Sequence, residues 1–210
     1  MTSGQREPTV FVVDDDEAVR NSLGMLLKSL GMPAITHRSA EEFLARYDPD
    51  QSGCIVLDVR MPGMSGPELQ EELNRRGAII PVIFITGHGD VPMAVEAMQH
   101  GAIDFLQKPF SDKDLTDRIQ RAMSADRSNR ALLGEKDQIR ARIAMLTPRE
   151  RQVLELVTLG KSSKVIAWEL GVSQRTVEIH RAHVTEKMGA TSIAHLVRMT
   201  IIADIGISTY

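Results

Sequence analysis

Up to about residue 123 the chain alternates two hydrophobic patterns; beyond it only one persists. Thr9-Val10-Phe11-Val12-Val13 is an unbroken apolar, β-branched run, which predicts a strand buried on both faces. Val19, Leu23, Leu26, Leu27 and Leu30 follow at three- and four-residue steps, which predicts a helix that Gly31 stops. The alternation then recurs. Ala34–His37 reads as a short strand, and Ser39 with Glu42 three residues on has capping-box spacing. Cys54–Asp58 reads as a third, buried strand, and Pro67 as the first turn of a helix reaching about Arg76. Pro81–Ile85 is a fourth strand ending at Thr86, followed by a helix from about Val91 to Gln99 that stops before Gly101. Ala102–Leu106 is a fifth strand running into Lys108-Pro109-Phe110, with a helix from Ser111 or Asp112. Five strands alternating with helices predict an α/β layer structure with a parallel sheet. Right-handed crossovers put all the strand exits on one rim.

From Ser111 to about Ala144 the chain is charged and holds no proline. Leu115, Ile119, Ala122 and Met123 continue a helical face, Asp126-Arg127-Ser128-Asn129-Arg130 turns polar, and Leu132, Leu133, Ile139 and Ile143 resume sparse apolar spacing. A long helix with Gly134 as its weak point and a flexible tether both fit; the pattern favours mostly helix. Thr147-Pro148-Arg149-Glu150 then opens a helix with cap, first-turn proline and box glutamate. Val153, Leu154, Leu156 and Val157 line its inner side, and Gly160 ends it. A second helix starts at Ser162 or Ser163 and ends before Gly171-Val172-Ser173. A third runs from Gln174 to Met188, and a fourth from about Ser192 to Ala203. Helix, short glycine-containing turn, helix is the helix-turn-helix pattern. The predicted class is α/β followed by all-α. The domains are 1–123, a largely helical linker over 124–142, and a four-helix domain over 143–210.

Charge supports that division. Residues 1–125 carry 12 Lys and Arg against 19 Asp and Glu, while residues 126–210 carry 13 against 9. An acidic front and a basic back suggest different partners, nucleic acid among them for the back. No run approaches the ~20 apolar residues of a membrane span. The polar start Met1–Pro8 has no signal-peptide core. The lone cysteine, Cys54, sits in an apolar strand and is expected to be an inert core thiol. A cytoplasmic protein without a membrane partner is expected. The 11 methionines read as gap-filling core, and His37 and His88 as solvated loop or sheet-edge residues.

The predicted rim collects chemistry. The first strand exits at Asp14 and Asp15, the third at Asp58, the fourth at Thr86 and the fifth at Lys108. A lone Asp at a strand exit is often a turn cap. Three carboxylates, a hydroxyl and an ammonium on the ligand-binding edge of an open sheet make a site the better reading. Crowded carboxylates call for a divalent cation, and Mg²⁺ favours one or two carboxylates, waters and phosphate oxygens. Asp58 then makes a nucleophile toward phosphorus. Lys108 can pair with phosphoryl oxygens and Thr86 can donate to one. Asp16 reads as the cap of the first helix. A Mg²⁺ phosphatase with an Asp nucleophile is the enzymatic alternative. It needs a second acid two residues on, where this chain has Arg60.

On the predicted third helix of the basic domain, Val177, Val184 and Met188 share one side, opposite Arg175, Glu178, Ile179, Ala182 and Glu186. An apolar Ile179 and a small Ala182 on an outer face suit base edges and thymine methyls. Basic and hydroxyl residues around them suit phosphates. The candidate DNA contacts are Lys164, Ser173, Arg175, Thr176, Glu178, Ile179, Arg181, Ala182 and Lys187. A small structural bundle with a solvated helix fits the turn geometry as well.

Two resemblances follow from these residues. Val13-Asp14-Asp15-Asp16, Leu57-Asp58-Val59-Arg60-Met61-Pro62-Gly63-Met64-Ser65-Gly66, Thr86-Gly87-His88 and Lys108-Pro109-Phe110 resemble the receiver domain of two-component response regulators, over residues 8 to about 123. The resemblance implies a flavodoxin-like, doubly wound (βα)5 fold with Asp58 as phosphoacceptor. It implies Mg²⁺ (or Mn²⁺) held by Asp15, Asp58 and the Arg60 backbone carbonyl, with Asp14 acting through water. Thr86 and Phe105 stand at the switch positions, and Lys108 senses phosphate, with a cis Lys108–Pro109 bond. Phe105, unlike the tyrosine often found there, cannot donate a hydrogen bond. Leu146–Leu154, Ile166-Ala167 and Val172–His180 look like the LuxR/NarL-type DNA-binding domain, over about 143 to 205, and the pairing is similar to FixJ-type regulators. The resemblance implies a sensor histidine kinase and double-stranded DNA as partners. It also implies a homodimer when phosphorylated, paired through Ile193, Val197 and Ile201 of the last helix. RNA polymerase is a further partner it allows, and activation is the expected sense of control. The chain is then not an enzyme, beyond slow self-phosphorylation from small phosphodonors and self-dephosphorylation. A ligand-gated LuxR-type sensor is the third reading and would need an apolar pocket in the front domain.

Overall fold

A computed structural model describes residues 7–87, 95 and 98–204. The chain forms two compact units divided between Arg130 and Ala131. The first holds strands β1 (Thr9–Val13), β2 (Ala34–His37), β3 (Gly53–Asp58), β4 (Val82–Thr86) and β5 (Asp104–Gln107), all parallel, in the order β2-β1-β3-β4-β5. Helices α1 (Glu17–Ser29), α2 (Ala40–Arg46) and α3 (Gly66–Arg75) lie between strands, and α4 (Asp112–Ala144) follows β5. The flavodoxin-like order has its switch point between β1 and β3, where ligands bind beyond the strand ends.

The continuous apolar runs are buried on both faces, as their pattern requires. Val10, Val12, Cys54, Val56, Ile83 and Ile85 pack with Leu23, Leu27, Leu115 and Ile119 on one face. Phe11, Val13, Ile55, Leu57 and Phe84 pack with Phe43, Leu69 and Leu73 on the other. The Cys54 thiol is buried there, and burial pushes its pKa up to about 12, which keeps it an inert thiol. Helix starts are local: Asp16 accepts from the backbone N–H of Ala18 at 2.8 Å, and Ser65 with Glu68 forms a full capping box.

Some boundaries differ from the expectation. β4 ends on Thr86 as expected but begins at Val82, one residue into its run, and β5 begins at Asp104 although its apolar run starts at Ala102. Register decides this: Ile83 pairs with Asp104, so Ala102 precedes the ladder. The helix expected over about Val91 to Gln99 falls largely outside the described residues; Val95, Met98 and Gln99 are helical. His88 is likewise outside them. His37 ends the edge strand β2 but is not solvated: it is only 2% exposed and stands against Phe11 and Phe43. One helix covers Asp112–Ala144, where sequence left both helix and tether open. The polar stretch Asp126–Arg130 lies inside that helix, and Asp126 is fully buried.

The second unit comprises the end of α4 and helices α5 (Pro148–Thr158), α6 (Ser163–Leu170), α7 (Gln174–Met188) and α8 (Ile193–Ile202). Ser or Thr caps α5 to α8, and Gly171 and Gly189 close α6 and α7 in the left-handed conformation. Ile139, Ile143, Val153, Ile166, Val177, Val184, Met188 and Leu196 share its core.

Candidate functional site

Asp14 follows β1, Asp58 ends β3, Thr86 ends β4 and Lys108 follows β5, so the sheet brings all four to one edge. The Lys108 ammonium binds both acids, donating to Asp58 Oδ1 at 2.7 Å and to Asp14 Oδ2 at 3.0 Å. The other oxygens are aimed by backbone: Asp16 N–H donates to Asp14 Oδ1 at 2.8 Å, and Arg60 N–H to Asp58 Oδ2 at 2.8 Å. Lys108 is tied to Thr86 through its own N–H, which donates to the Thr86 carbonyl at 2.7 Å. The Lys108–Pro109 bond is cis, as the resemblance implied. Asp15 and Arg60 are exposed beside this cluster. Phe105 sits half-buried on β5, in register with Phe84.

The electrostatics is unevenly compensated. Burial leaves Asp14 only 1% exposed and lifts its carboxyl above the usual range, despite hydrogen bonds from the Asp16 backbone and Lys108 that pull it down. Burial also works against the charge of Lys108. The hydrogen bonds to Asp58 and Asp14 outweigh it and hold the ammonium above its ordinary value. One ammonium shared by two carboxylates is well held itself, yet leaves Asp14 short of positive charge. The donors on offer are carboxylate and carbonyl oxygens, which suit a hard cation that keeps several waters, such as Mg²⁺.

Two residues have positioning roles that the sequence did not reveal: Gly66, which it placed only within the loop motif, and Glu41. A Cβ on Gly66 would stand 2.3 Å from the Asp58 carbonyl oxygen and 2.9 Å from the Phe84 ring, so only glycine lets the loop after β3 fold back on the acid. Gly66 N–H closes that loop by donating to the Val59 carbonyl at 3.1 Å. Glu41 of α2 steadies the same loop, accepting from Met64 N–H at 3.0 Å. The Pro-Gly-Met-Ser-Gly run signalled a turn; nothing local signalled Glu41.

In the helical unit, Lys164, Arg175, Glu178, Ile179 and Ala182 are exposed, and Ile179 is an apolar side chain 49% open on the outer face of α7. Ser173 caps α7, accepting from Thr176 N–H at 3.1 Å and pairing with the Thr176 hydroxyl at 2.8 Å. Glu178 accepts from Gln174 at 3.0 Å. Two of the expected cationic contacts are engaged within the unit as well. Arg181 donates to the Ser163 hydroxyl at 3.3 Å, and Lys187 donates to Glu150 Oε2 at 2.6 Å.

Residues 10–120 match the response regulator receiver domain family, and residues 144–200 match the luxR family of bacterial regulatory proteins. The chain belongs to the response regulators. This response regulator is 50% identical to the transcriptional regulatory protein FixJ of Azorhizobium caulinodans over 93% of each chain. It is 45% identical to the C4-dicarboxylate transport transcriptional regulatory protein DctR of Rhodobacter capsulatus, over 91% of this chain and 98% of that one. Among solved structures it is similar to the response regulator StyR, with 46% identity, a TM-score of 0.81, and coverage of 93% of this chain and 99% of that one. Full-length FixJ from B. japonicum matches with 42% identity and a TM-score of 0.57, over 95% and 98% of the two chains. The response regulator thus joins a receiver to a LuxR-type DNA-binding domain and acts in transcription regulation within a two-component system. Its receiver implies a histidine kinase as partner, and its second domain implies DNA. No helix among the described residues is long and apolar enough to cross a membrane.

Proposed function

We propose that Asp58 is the phosphoacceptor and that its charge is read by Lys108 and Thr86. The observation that carries this is the Lys108 ammonium held between Asp14 and Asp58 at 3.0 and 2.7 Å. A carboxylate oxygen of Asp58 bonds to phosphorus as the phosphorus–nitrogen bond of the kinase phosphohistidine breaks. The Arg60 N–H holds the other oxygen, which fixes the attacking orientation. Lys108 then shifts its charge from the carboxylate to a phosphoryl oxygen, and Thr86 donates its hydroxyl to another. Because Lys108 N–H is bonded to the Thr86 carbonyl, the two strand ends respond together. Phe105, on the neighbouring strand, adjusts to the space Thr86 leaves.

Asp15, Asp58 and the Arg60 carbonyl would hold Mg²⁺ or Mn²⁺, with Asp14 acting through water. The cation would offset phosphoryl charge and make up the positive charge that Asp14 lacks. Slow self-phosphorylation and self-dephosphorylation are the only turnover expected. The receiver occupies 1–123, the linker helix 124–142 and the DNA-binding domain 143–210. Phosphorylation promotes a cytoplasmic homodimer through Ile193, Val197 and Ile201 of α8. Lys164, Ser173, Arg175, Thr176, Glu178, Ile179, Arg181, Ala182 and Lys187 then meet DNA to activate transcription with RNA polymerase.

The test is Asp58→Asn in the full chain. With labelled acetyl phosphate and Mg²⁺ it should take up no acid-stable, base-labile phosphate, and acetyl phosphate should no longer tighten its DNA footprint. Undiminished labelling would sink the assignment.

A further inference from the structure

Glu150 has a role left over after capping α5. Its Oε2 accepts from Thr147 N–H at 2.8 Å and from the Lys187 ammonium at 2.6 Å. Its Oε1 faces His183 Nδ1 at 3.6 Å, beyond hydrogen-bond range. His180 lies one helical turn before His183 on the same flank of α7. One ligand atom from each of Glu150, His180 and His183 lies within 4.8 Å of the other two, the one such triple among the described residues. Ligand atoms held about 2.1 Å from a tetrahedral ion stand roughly 3.4 Å apart, close to the 3.6 Å between Glu150 Oε1 and His183 Nδ1. The carboxylate is fixed and ionised. Glu150 is only 3% exposed, and the hydrogen bonds from Lys187 and the Thr147 backbone hold its pKa at about 2. The histidines are more open, with the His183 side chain about half exposed, which leaves a path for an ion.

We propose that Glu150 Oε1, His180 and His183 form a binding site for a divalent transition-metal ion of the zinc class, clamping α5 to α7. Two imidazole nitrogens and one carboxylate suit Zn²⁺ and disfavour Mg²⁺, so this site is chemically separate from the acidic rim. The fourth position is left to water. Lys187 stays on Oε2 and opposes the ion through like charge, which lowers the affinity without blocking the ligands. The geometry is contained in the helical unit and stands whether or not α7 contacts DNA as proposed above.

The test uses the full chain, stripped with chelator and kept in millimolar MgCl₂ so that the rim is supplied with its own cation. ZnCl₂ is titrated against a chromophoric chelator, and Co²⁺ serves as the spectroscopic probe. One zinc per chain is expected, with a visible tetrahedral cobalt band and a Tm that rises with zinc concentration. His180→Asn and His183→Asn should each weaken zinc at least tenfold and lose the cobalt band while keeping the metal-free Tm. His100→Asn should change nothing, and Lys187→Gln should tighten zinc severalfold. Zinc affinity and the cobalt spectrum unchanged in both the His180 and His183 variants would overturn the site, as would the absence of binding at submillimolar zinc.

Discussion

Gly66 shows how little room surrounds Asp58. An added methyl would meet the Asp58 carbonyl at 2.3 Å and the Phe84 ring at 2.9 Å, and neither backbone nor buried ring can yield cheaply. Gly66→Ala should cost about 1–3 kcal/mol, measured by urea unfolding, and should slow phosphoryl uptake by moving the Arg60 N–H that orients the acid. A variant of wild-type stability would show that the loop relaxes without cost. His37 carries a pH prediction. Burial lowers its pKa below the usual 6.5, with Glu42 opposing and Arg46 assisting, and its Nδ1 has no partner among the described residues. The folded state therefore prefers neutral His37. Its contribution is complete above the unfolded pKa and is lost as pH falls through 6.5 toward the depressed folded value. The urea midpoint should drop between pH 8 and pH 5.5, and His37→Leu should flatten that drop; an equally steep drop in the variant would refute it.

The element with most to add is α4. Its middle is polar in sequence, yet Asp126 accepts from the Ser52 hydroxyl at 2.7 Å and Gly53 N–H at 3.0 Å. Arg130, one turn on, donates to Asp126 at 2.9 Å and to the carbonyls of Pro49 and Gln51 at 2.9 and 2.7 Å. These bonds hold the helix to the chain segment entering β3, at the opposite end of the strand from Asp58. A buried carboxylate with three donors is costly to remove, because its partners stay buried and unpaired. Asp126→Ala should destabilise the receiver by about 3 kcal/mol and raise hydrogen exchange over residues 124–130. Exchange unchanged there would mean the bonds do not hold the helix. The same stretch explains a limit of pattern reading. Asp and Arg four apart on a helix usually mark a solvated face, and their real partners lie more than seventy positions away in sequence.

At the scale of the whole molecule, the acidic front and basic back divide the work. Phosphate chemistry needs carboxylates gathered at one rim, and DNA needs cations spread over a surface. Arg175 is exposed near the start of α7 and is proposed as a phosphate contact. Arg175→Ala should weaken DNA binding about equally across sequences and reduce the slope of log K against log salt by about 0.9. A loss confined to one base position would make it a base reader instead. Lys187 should give a smaller salt effect, since its charge is paired with the Glu150 carboxylate.

The sequence by itself determined the strand runs, the helix caps, the two-domain division and the residues that reach the rim. These depend on short-range rules, where period, capping and strand polarity act within a few residues. Burial of β-branched runs on both faces even set the parallel sheet. Only the tertiary structure decided that Lys108 bridges Asp14 and Asp58, that His37 is enclosed by aromatic rings, that Asp126 is buried and that Lys187 faces Glu150. Each of those depends on which distant group fills the space opposite a polar side chain. A charged residue reads the same in sequence whether water or a buried partner meets it.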